Sequence, residues 1–254
     1  MKLTVVIASV LLMLLACKPA GCPSDCAGAD LSHMDLRREN FAGADLRGAN
    51  LAGADLSGPF QQGVDLSGAD LTNADLSGAN LKGADLSEVI LTGANLSGAD
   101  LSEAILIKTQ LDESTQIDDK WRLVWELVNQ GGAGRDLSGV DLSGANLWGA
   151  NLEEANLSGA DLSWAVLTEA NLYRANLNQA NMSWANLAGT NLEEANLSVS
   201  QLRWADLRDA TLNGANLELV DGRGAWLNGA KLENINLNNA WLTGAILPDG
   251  SRAR

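Results

Sequence analysis

The chain has 254 residues, a formal net charge of −15 and 46% hydrophobic residues, of which few are aromatic. Binding to a phosphate backbone needs clustered lysine and arginine, so this acidic balance argues against a nucleic-acid partner. The length allows one domain or two.

Residues 1–16 have the features of a signal peptide. An apolar run from Leu3 to Ala16 follows the first lysine. It is shorter than the roughly 20 helical residues that span a bilayer. The run ends in Leu14-Leu15-Ala16-Cys17, which resembles a bacterial lipobox, so Cys17 is predicted to carry a lipid. The protein is therefore expected to be an exported lipoprotein, anchored to a membrane on the periplasmic or lumenal side. A cleaved secretory signal and an uncleaved anchor are the alternatives.

Residues 17–28 are interpreted as a tether that contains Cys22 and Cys26. Export implies an oxidising compartment, so these two cysteines could form a local disulfide, although two free thiols are an equal alternative. A structural zinc site needs about four ligands, and His33, the single histidine, adds at most a third. No metal and no cofactor is predicted.

A five-residue repeat centred on leucine fills most of the remaining chain. It is plain in Ala44-Asp45-Leu46-Arg47-Gly48, and it is predicted to form a first block over residues 29–113 and a second over 135–249, before a tail at 250–254. The second block starts out of phase with the first. A period of five fits neither a helix nor a flat strand.

The insert at residues 114–134 is predicted to contain a helix. Asp118 and Asp119 can cap its start, and Asn129-Gln130-Gly131-Gly132 can end it. Its apolar stripe is predicted to comprise Trp121, Val124, Trp125 and Val128. This stripe could cover an exposed end of a repeat stack or dock a partner.

Tandem Ala-(Asp/Asn)-Leu-x-x resembles the pentapeptide-repeat family over some four fifths of the chain. The resemblance implies an all-β fold, a right-handed quadrilateral parallel β-helix with four repeats in each coil. It also implies that the central Leu and the Ala two residues before it point inward.

A second, longer period of 20 supports four-sided coils independently. Trp164, Trp184 and Trp204 are spaced by 20, each two residues after a central Leu or Met. They are predicted to stack along one outer edge, as a candidate interaction surface. The alternative is that they merely cover the edge of the solenoid.

The polar position before the central residue favours Asp in the first block and Asn in the second. Asp35, Asp55 and Asp75 have the same spacing of 20 and are predicted to stack. Repulsion between stacked carboxylates should raise their pKa values and make the first block more stable as the pH falls.

No catalytic residue is predicted, because nearly every Asp belongs to the repeat and no nucleophile–base pair can be proposed. The expected function is that of a non-enzymatic, membrane-tethered scaffold that binds an unknown protein partner. The family resemblance offers an alternative, an acidic rod that mimics DNA and binds a type II topoisomerase.

Overall fold

The computed structural model describes residues 26–37, 39–41, 44–47, 49–56 and 63–254. The chain divides into two compact units, with the boundary between Asp118 and Asp119. No helix in the described part of the chain is long and apolar enough to cross a membrane.

Within each unit, parallel β-bridges join one coil of the repeat to the next. In the second unit every parallel bridge has a sequence offset of 20, from Asp136–Asn156 to Trp226–Ile246. The bridges fall into four columns, so one coil consists of four pentapeptides, as the period of 20 predicts. Each face contributes a single bridged residue, and the described residues contain no longer strand. The right-handed sense of the solenoid stays a prediction.

Each pentapeptide turns a corner by the same local bonds. The carbonyl of a central Leu accepts from the N–H three residues later, as Leu51 does from Ala54 at 3.0 Å. The second residue after the centre has positive φ, for example Gly159 at 67° and Trp164 at 61°. Glycine takes this conformation without strain, which explains its frequency there. An Asp or Asn oxygen accepts from the backbone N–H two residues on, as Asp65 does from Ser67 at 3.0 Å.

The core of each unit is a column of Leu and Ala side chains. Leu71 and Leu177 are fully buried, as are Ala74 and Ala175 in the inward position two residues before a centre. Burying a Leu contributes about 1.5–3 kcal/mol, set against the entropy of ordering the chain. The inward orientation that the resemblance implies is therefore confirmed for these positions.

The first unit departs from the constant period. The bridge between Asp35 and Asp55 has an offset of 20, but the bridge between Asp55 and Asn80 has an offset of 25. Residues 57–62, which come between Asp55 and Asn80 in the sequence, lie outside the described residues. The predicted Asp35–Asp55–Asp75 column is therefore wrong beyond its first pair, because Asp75 lies over Asn50.

Helix α1 (Asp119–Asn129) lies in the second unit. Its buried residues are Trp121, Val124 and Leu127, whereas Trp125 and Val128 are half-buried. The predicted stripe missed Leu127, because the helix is apolar over more than one face and the pattern does not show which face is covered. A Cβ added at Gly132 would lie 2.6 Å from Leu127 and 2.7 Å from Leu152, so the end of the helix packs on the first coil of its unit.

The caps of α1 are partly as predicted. Asp119 lies in the first turn, but the Asp118 carboxylate accepts from the Gly98 N–H at 3.3 Å, within the first unit. After the helix, Gly131 takes a φ of 86°, the left-handed conformation expected of a residue that ends a helix.

The C-terminal residues pair with the last coil. Arg252 forms an antiparallel bridge with Ile246, and the Ala253 N–H donates to the Ala245 carbonyl at 2.8 Å. Residues 251–253 therefore cover one exposed backbone edge of the second unit. The sequence predicted a tail at residues 250–254 and a closing role for Trp241 and the Pro248-Asp249 segment, but not this pairing.

Candidate functional site

Trp164, Trp184 and Trp204 form a stacked row on one corner of the second unit, which we call the Trp edge. The ring centroids of Trp164 and Trp184 lie 5.0 Å apart with planes 2° from parallel, and those of Trp184 and Trp204 lie 5.6 Å apart at 19°. The predicted stacking is confirmed. The three residues are 59%, 49% and 48% exposed, so other residues do not cover the row.

The row ends on a glycine. A Cβ added at Gly224, in the next coil, would lie 2.6 Å from the Trp204 ring, so this ring lies flat over Gly224. Both faces of the Trp184 and Trp204 rings are therefore covered, which leaves their ring edges as the exposed parts.

Two arginines beside the Trp edge share one carboxylate. Arg203 Nε donates to Asp221 at 2.6 Å, and Arg223 donates through Nε at 2.9 Å and through its terminal nitrogen at 2.8 Å. The hydrogen bonds from Arg223 lower the pKa of Asp221 to about 2, and those from Arg203 act in the same direction against the burial of the carboxyl. Asp221 is buried, whereas both arginines are about half exposed. We call Arg203 and Arg223 the Arg pair.

Further aromatic side chains face outward near this corner. The Arg223 guanidinium lies 5.8 Å from the Trp241 ring and the Arg208 guanidinium 5.6 Å from the Trp226 ring, both within the range of cation–π contact. Trp241 and Trp226 are 59% and 45% exposed. The Arg pair was not predicted from the sequence, although each of its members immediately precedes a corner residue in the same column as the Trp edge.

The carboxylates of the repeat have lowered pKa values where a shift is resolved. Hydrogen bonds from the Arg47 side chain, and then from its backbone, lower the pKa of Asp45 to about 2. Hydrogen bonds from Ser77 lower the pKa of Asp75. At Asp75 the predicted rise in pKa is therefore wrong, because this carboxylate accepts bonds from the turn that follows it. Where Asp35 and Asp55 do stack, Arg37 lies within 2.6 and 3.4 Å of their oxygens.

One column of the second unit is an uninterrupted row of side-chain amides, which we call the Asn ladder. Each Asn donates through Nδ2 to Oδ1 of the residue 20 positions earlier, at 2.9–3.2 Å, and the row ends at Asp136. Its members are Asn156, Asn176, Asn196, Asn216 and Asn236. Each step satisfies one donor and one acceptor, so the ladder is explained as a structural feature of this face.

Several predicted residues lie outside the described part of the chain. These are the signal peptide, the lipidation site Cys17 and Cys22. Cys26 is buried and disulfide-bonded, while the predicted pairing of Cys22 with Cys26 stays a prediction. Within residues 26–37, 39–41, 44–47, 49–56 and 63–254, no three His, Cys, Asp or Glu side chains converge as metal ligands.

Several solved structures resemble this chain. HetL, a pentapeptide repeat protein involved in heterocyst differentiation regulation in the cyanobacterium Nostoc sp. strain PCC 7120, is 30% identical, with 96% of this chain and 98% of HetL covered and a TM-score of 0.36. Rfr23, a pentapeptide repeat protein from the cyanobacterium Cyanothece 51142, is 29% identical over 45% of this chain and 88% of its own, with a TM-score of 0.31. QnrB1, a plasmid-mediated fluoroquinolone resistance protein, is 16% identical over 84% of this chain and 90% of its own, with a TM-score of 0.28.

None of the curated proteins compared with the chain matches it. The profile of the family described as pentapeptide repeats matches eight copies, over residues 24–58, 62–87, 79–115, 136–174, 165–198 and 200–239. Proteins of this family are generally structural or interaction scaffolds and not enzymes. These matches cover more than half of the sequence, and the chain belongs to the pentapeptide-repeat family.

Proposed function

We propose that this protein is a non-enzymatic, exported and membrane-tethered scaffold that binds another protein through the Trp edge. The observation that carries the proposal is the row of three stacked, half-exposed indoles on an acidic solenoid. Trp is enriched at binding hot spots, and a contiguous exposed apolar strip is uncommon on a surface with no binding role.

The tether rests on sequence alone. Cys17 follows an apolar run of signal-peptide length and resembles the acceptor cysteine of a lipobox. Replacing Cys17 with Ser should move the protein out of the membrane fraction of cells. A membrane pool of unchanged size would contradict the lipid anchor.

Photo-crosslinking in intact cells tests the binding surface. A photoreactive amino acid at position 184 should yield a crosslinked protein, whereas the same residue at position 179 should not. Gln179 is a matched control, because it is exposed, lies in the same unit and has a φ of 62° against 63° for Trp184. Equal crosslinking at both positions, or none at 184, would contradict binding at the Trp edge.

The alternative is an acidic rod that binds a type II topoisomerase, and the net charge of −15 is what favours it. It requires a cytoplasmic pool, which export would remove. Inhibition of DNA supercoiling by the purified protein, together with a cytoplasmic location that Cys17→Ser leaves unchanged, would favour this alternative over the tethered scaffold.

A further inference from the structure

The ion pairs in the described part of the chain differ in stoichiometry, and some join one cation to one carboxylate, as Arg135 does with Glu126 at 3.1 Å. At several sites one cation serves two carboxylates. Arg174 lies 2.7 Å from Glu194 and 4.0 Å from Glu154, and Arg47 lies 2.6 Å from Asp45 and 3.7 Å from Asp70. At the Arg pair the proportion is reversed, since two guanidiniums share the single carboxylate of Asp221. This locus therefore has an excess of positive charge on an otherwise acidic protein.

The excess charge lies next to the Trp edge. Arg203 immediately precedes Trp204, and Arg223 immediately precedes Gly224, the residue that the Trp204 ring covers. Farther along the same corner, Arg252 donates to the Gly244 carbonyl at 3.3 Å. The corner therefore passes from an aromatic half to a cationic half over successive coils.

The aromatic half favours the same kind of partner as the cationic half. Because the indoles stack face to face, their outward parts are ring edges, which carry the positive side of the aromatic quadrupole. Ring edges attract carboxylates and the faces of other aromatic rings. Half-exposed guanidiniums attract carboxylates and also stack on aromatic faces.

We propose that the Trp edge and the Arg pair form one binding surface for an acidic peptide segment that carries aromatic side chains. The proposal rests on the proposed function, in which the Trp edge binds a protein, and it adds the chemistry of that partner. The apolar side chains of the segment pack along the Trp edge, and its carboxylates pair with Arg203 and Arg223.

The net charge of the protein opposes the proposed preference for an acidic peptide, so binding of such a peptide is a stringent test. A protein with a net charge of −15 should attract a basic peptide more than an acidic one unless a local site reverses this preference. Fluorescence anisotropy with two labelled synthetic peptides of equal length, one alternating Phe and Glu and the other Phe and Lys, measures the preference directly. The full-length protein in detergent should bind the Phe/Glu peptide more tightly.

Single arginine variants test which residues are responsible for the preference for the Phe/Glu peptide. Arg203→Gln leaves Asp221 paired with Arg223 and should weaken the Phe/Glu peptide by about fivefold, as loss of a half-exposed charge pair allows. Arg174→Gln is the matched control, since its side chain is 50% exposed against 47% for Arg203, and it should leave binding unchanged. Replacing all three residues of the Trp edge with Ser should abolish binding of the Phe/Glu peptide.

The other outcomes overturn the proposal. It fails if the Phe/Lys peptide binds as tightly or more tightly, if the Phe/Glu peptide does not bind, or if Arg203→Gln and Arg174→Gln weaken binding equally. Binding to phosphatidylglycerol vesicles that Arg203→Gln weakens, with no peptide binding, would assign the surface to anionic lipid instead. If position 184 crosslinks to a protein in cells but the purified protein prefers the Phe/Lys peptide, only the acidic nature of the partner is overturned. Loss of that crosslinking overturns the proposed function.

Discussion

The two units have the same kind of Leu and Ala core, but the polar side chains in their outer columns are hydrogen-bonded in different ways. In the second unit, the amides of the Asn ladder bond to one another along the stack. In the first unit, a column alternates Asp30, Asn50, Asp75 and Asn95, and only every second step has an amide donor. An amide both donates and accepts, whereas a carboxylate only accepts. Stacked Asp therefore needs donors from its own turn or from arginine.

The largest expected effect tests what the units share. Leu71→Ala in the first unit and Leu177→Ala in the second should each lower the free energy of unfolding by about 2–5 kcal/mol, because both side chains are fully buried in a column of Leu. All eight Trp residues lie at position 121 or later, so Trp fluorescence in urea follows the second unit and far-UV circular dichroism follows both. A loss below about 1 kcal/mol in one unit would show that its core is not equivalently packed.

The next prediction tests the Asn ladder. Asn176 donates to Asn156 at 3.0 Å and accepts from Asn196 at 3.2 Å. Asn176→Asp removes the donor and sets a carboxylate against an amide oxygen, so it should lower the free energy of unfolding by about 1–3 kcal/mol at neutral pH. The measurement is urea unfolding followed by Trp fluorescence.

The reverse substitution in the first unit is the control. Asp75→Asn keeps the acceptor for Asn95 and the Ser77 N–H and supplies a donor toward Asn50, its bridged neighbour. It should therefore be neutral or slightly stabilising in urea unfolding followed by far-UV circular dichroism, since the first unit has no Trp. If Asn176→Asp and Asp75→Asn lowered the free energy of unfolding equally, the two columns would not differ in their need for an amide donor.

Acid should destabilise the protein. The pKa values of Asp45, Asp112 and Asp221 are lowered to about 2 in the folded state, and in the unfolded state these groups return to ordinary values. The unfolded state therefore binds protons first, so stability is retained above about pH 4 and is lost as the pH falls toward about 2. Urea midpoints measured across this range should fall. A urea midpoint that rises on acidification would show that repulsion between stacked carboxylates has a larger effect on stability than their hydrogen bonds.

The smallest expected effect concerns a single turn. Arg47→Gln removes the side-chain hydrogen bonds to Asp45 and should raise the pKa of that carboxyl from about 2 toward its ordinary value. The pKa of Asp75, which Ser77 lowers, should not change. Titration by NMR of the two carboxyl carbons measures both, and a constant pKa at Asp45 would assign its low value to the backbone turn.

Much of the architecture follows from local chemistry that repeats. A small residue two positions before a Leu, a polar residue between them and a tolerated left-handed corner specify one pentapeptide, and Trp residues spaced by 20 report the number of sides. For this reason the stacking of the Trp edge and the inward columns could be predicted. The sequence also indicated the position of the helix in the insert, within a few residues.

Tertiary structure decided everything that depends on which coils become neighbours. A bridging offset of 25 in the first unit places Asp75 over Asn50, whereas an offset of 20 would place it over Asp55. The burial of Leu127 depends on where the helix meets its coil, and the sharing of Asp221 by Arg203 and Arg223 depends on residues 18 and 2 positions away. A period of five determines the turn of the chain at each corner, but only the closed coil determines which side chains lie one above another.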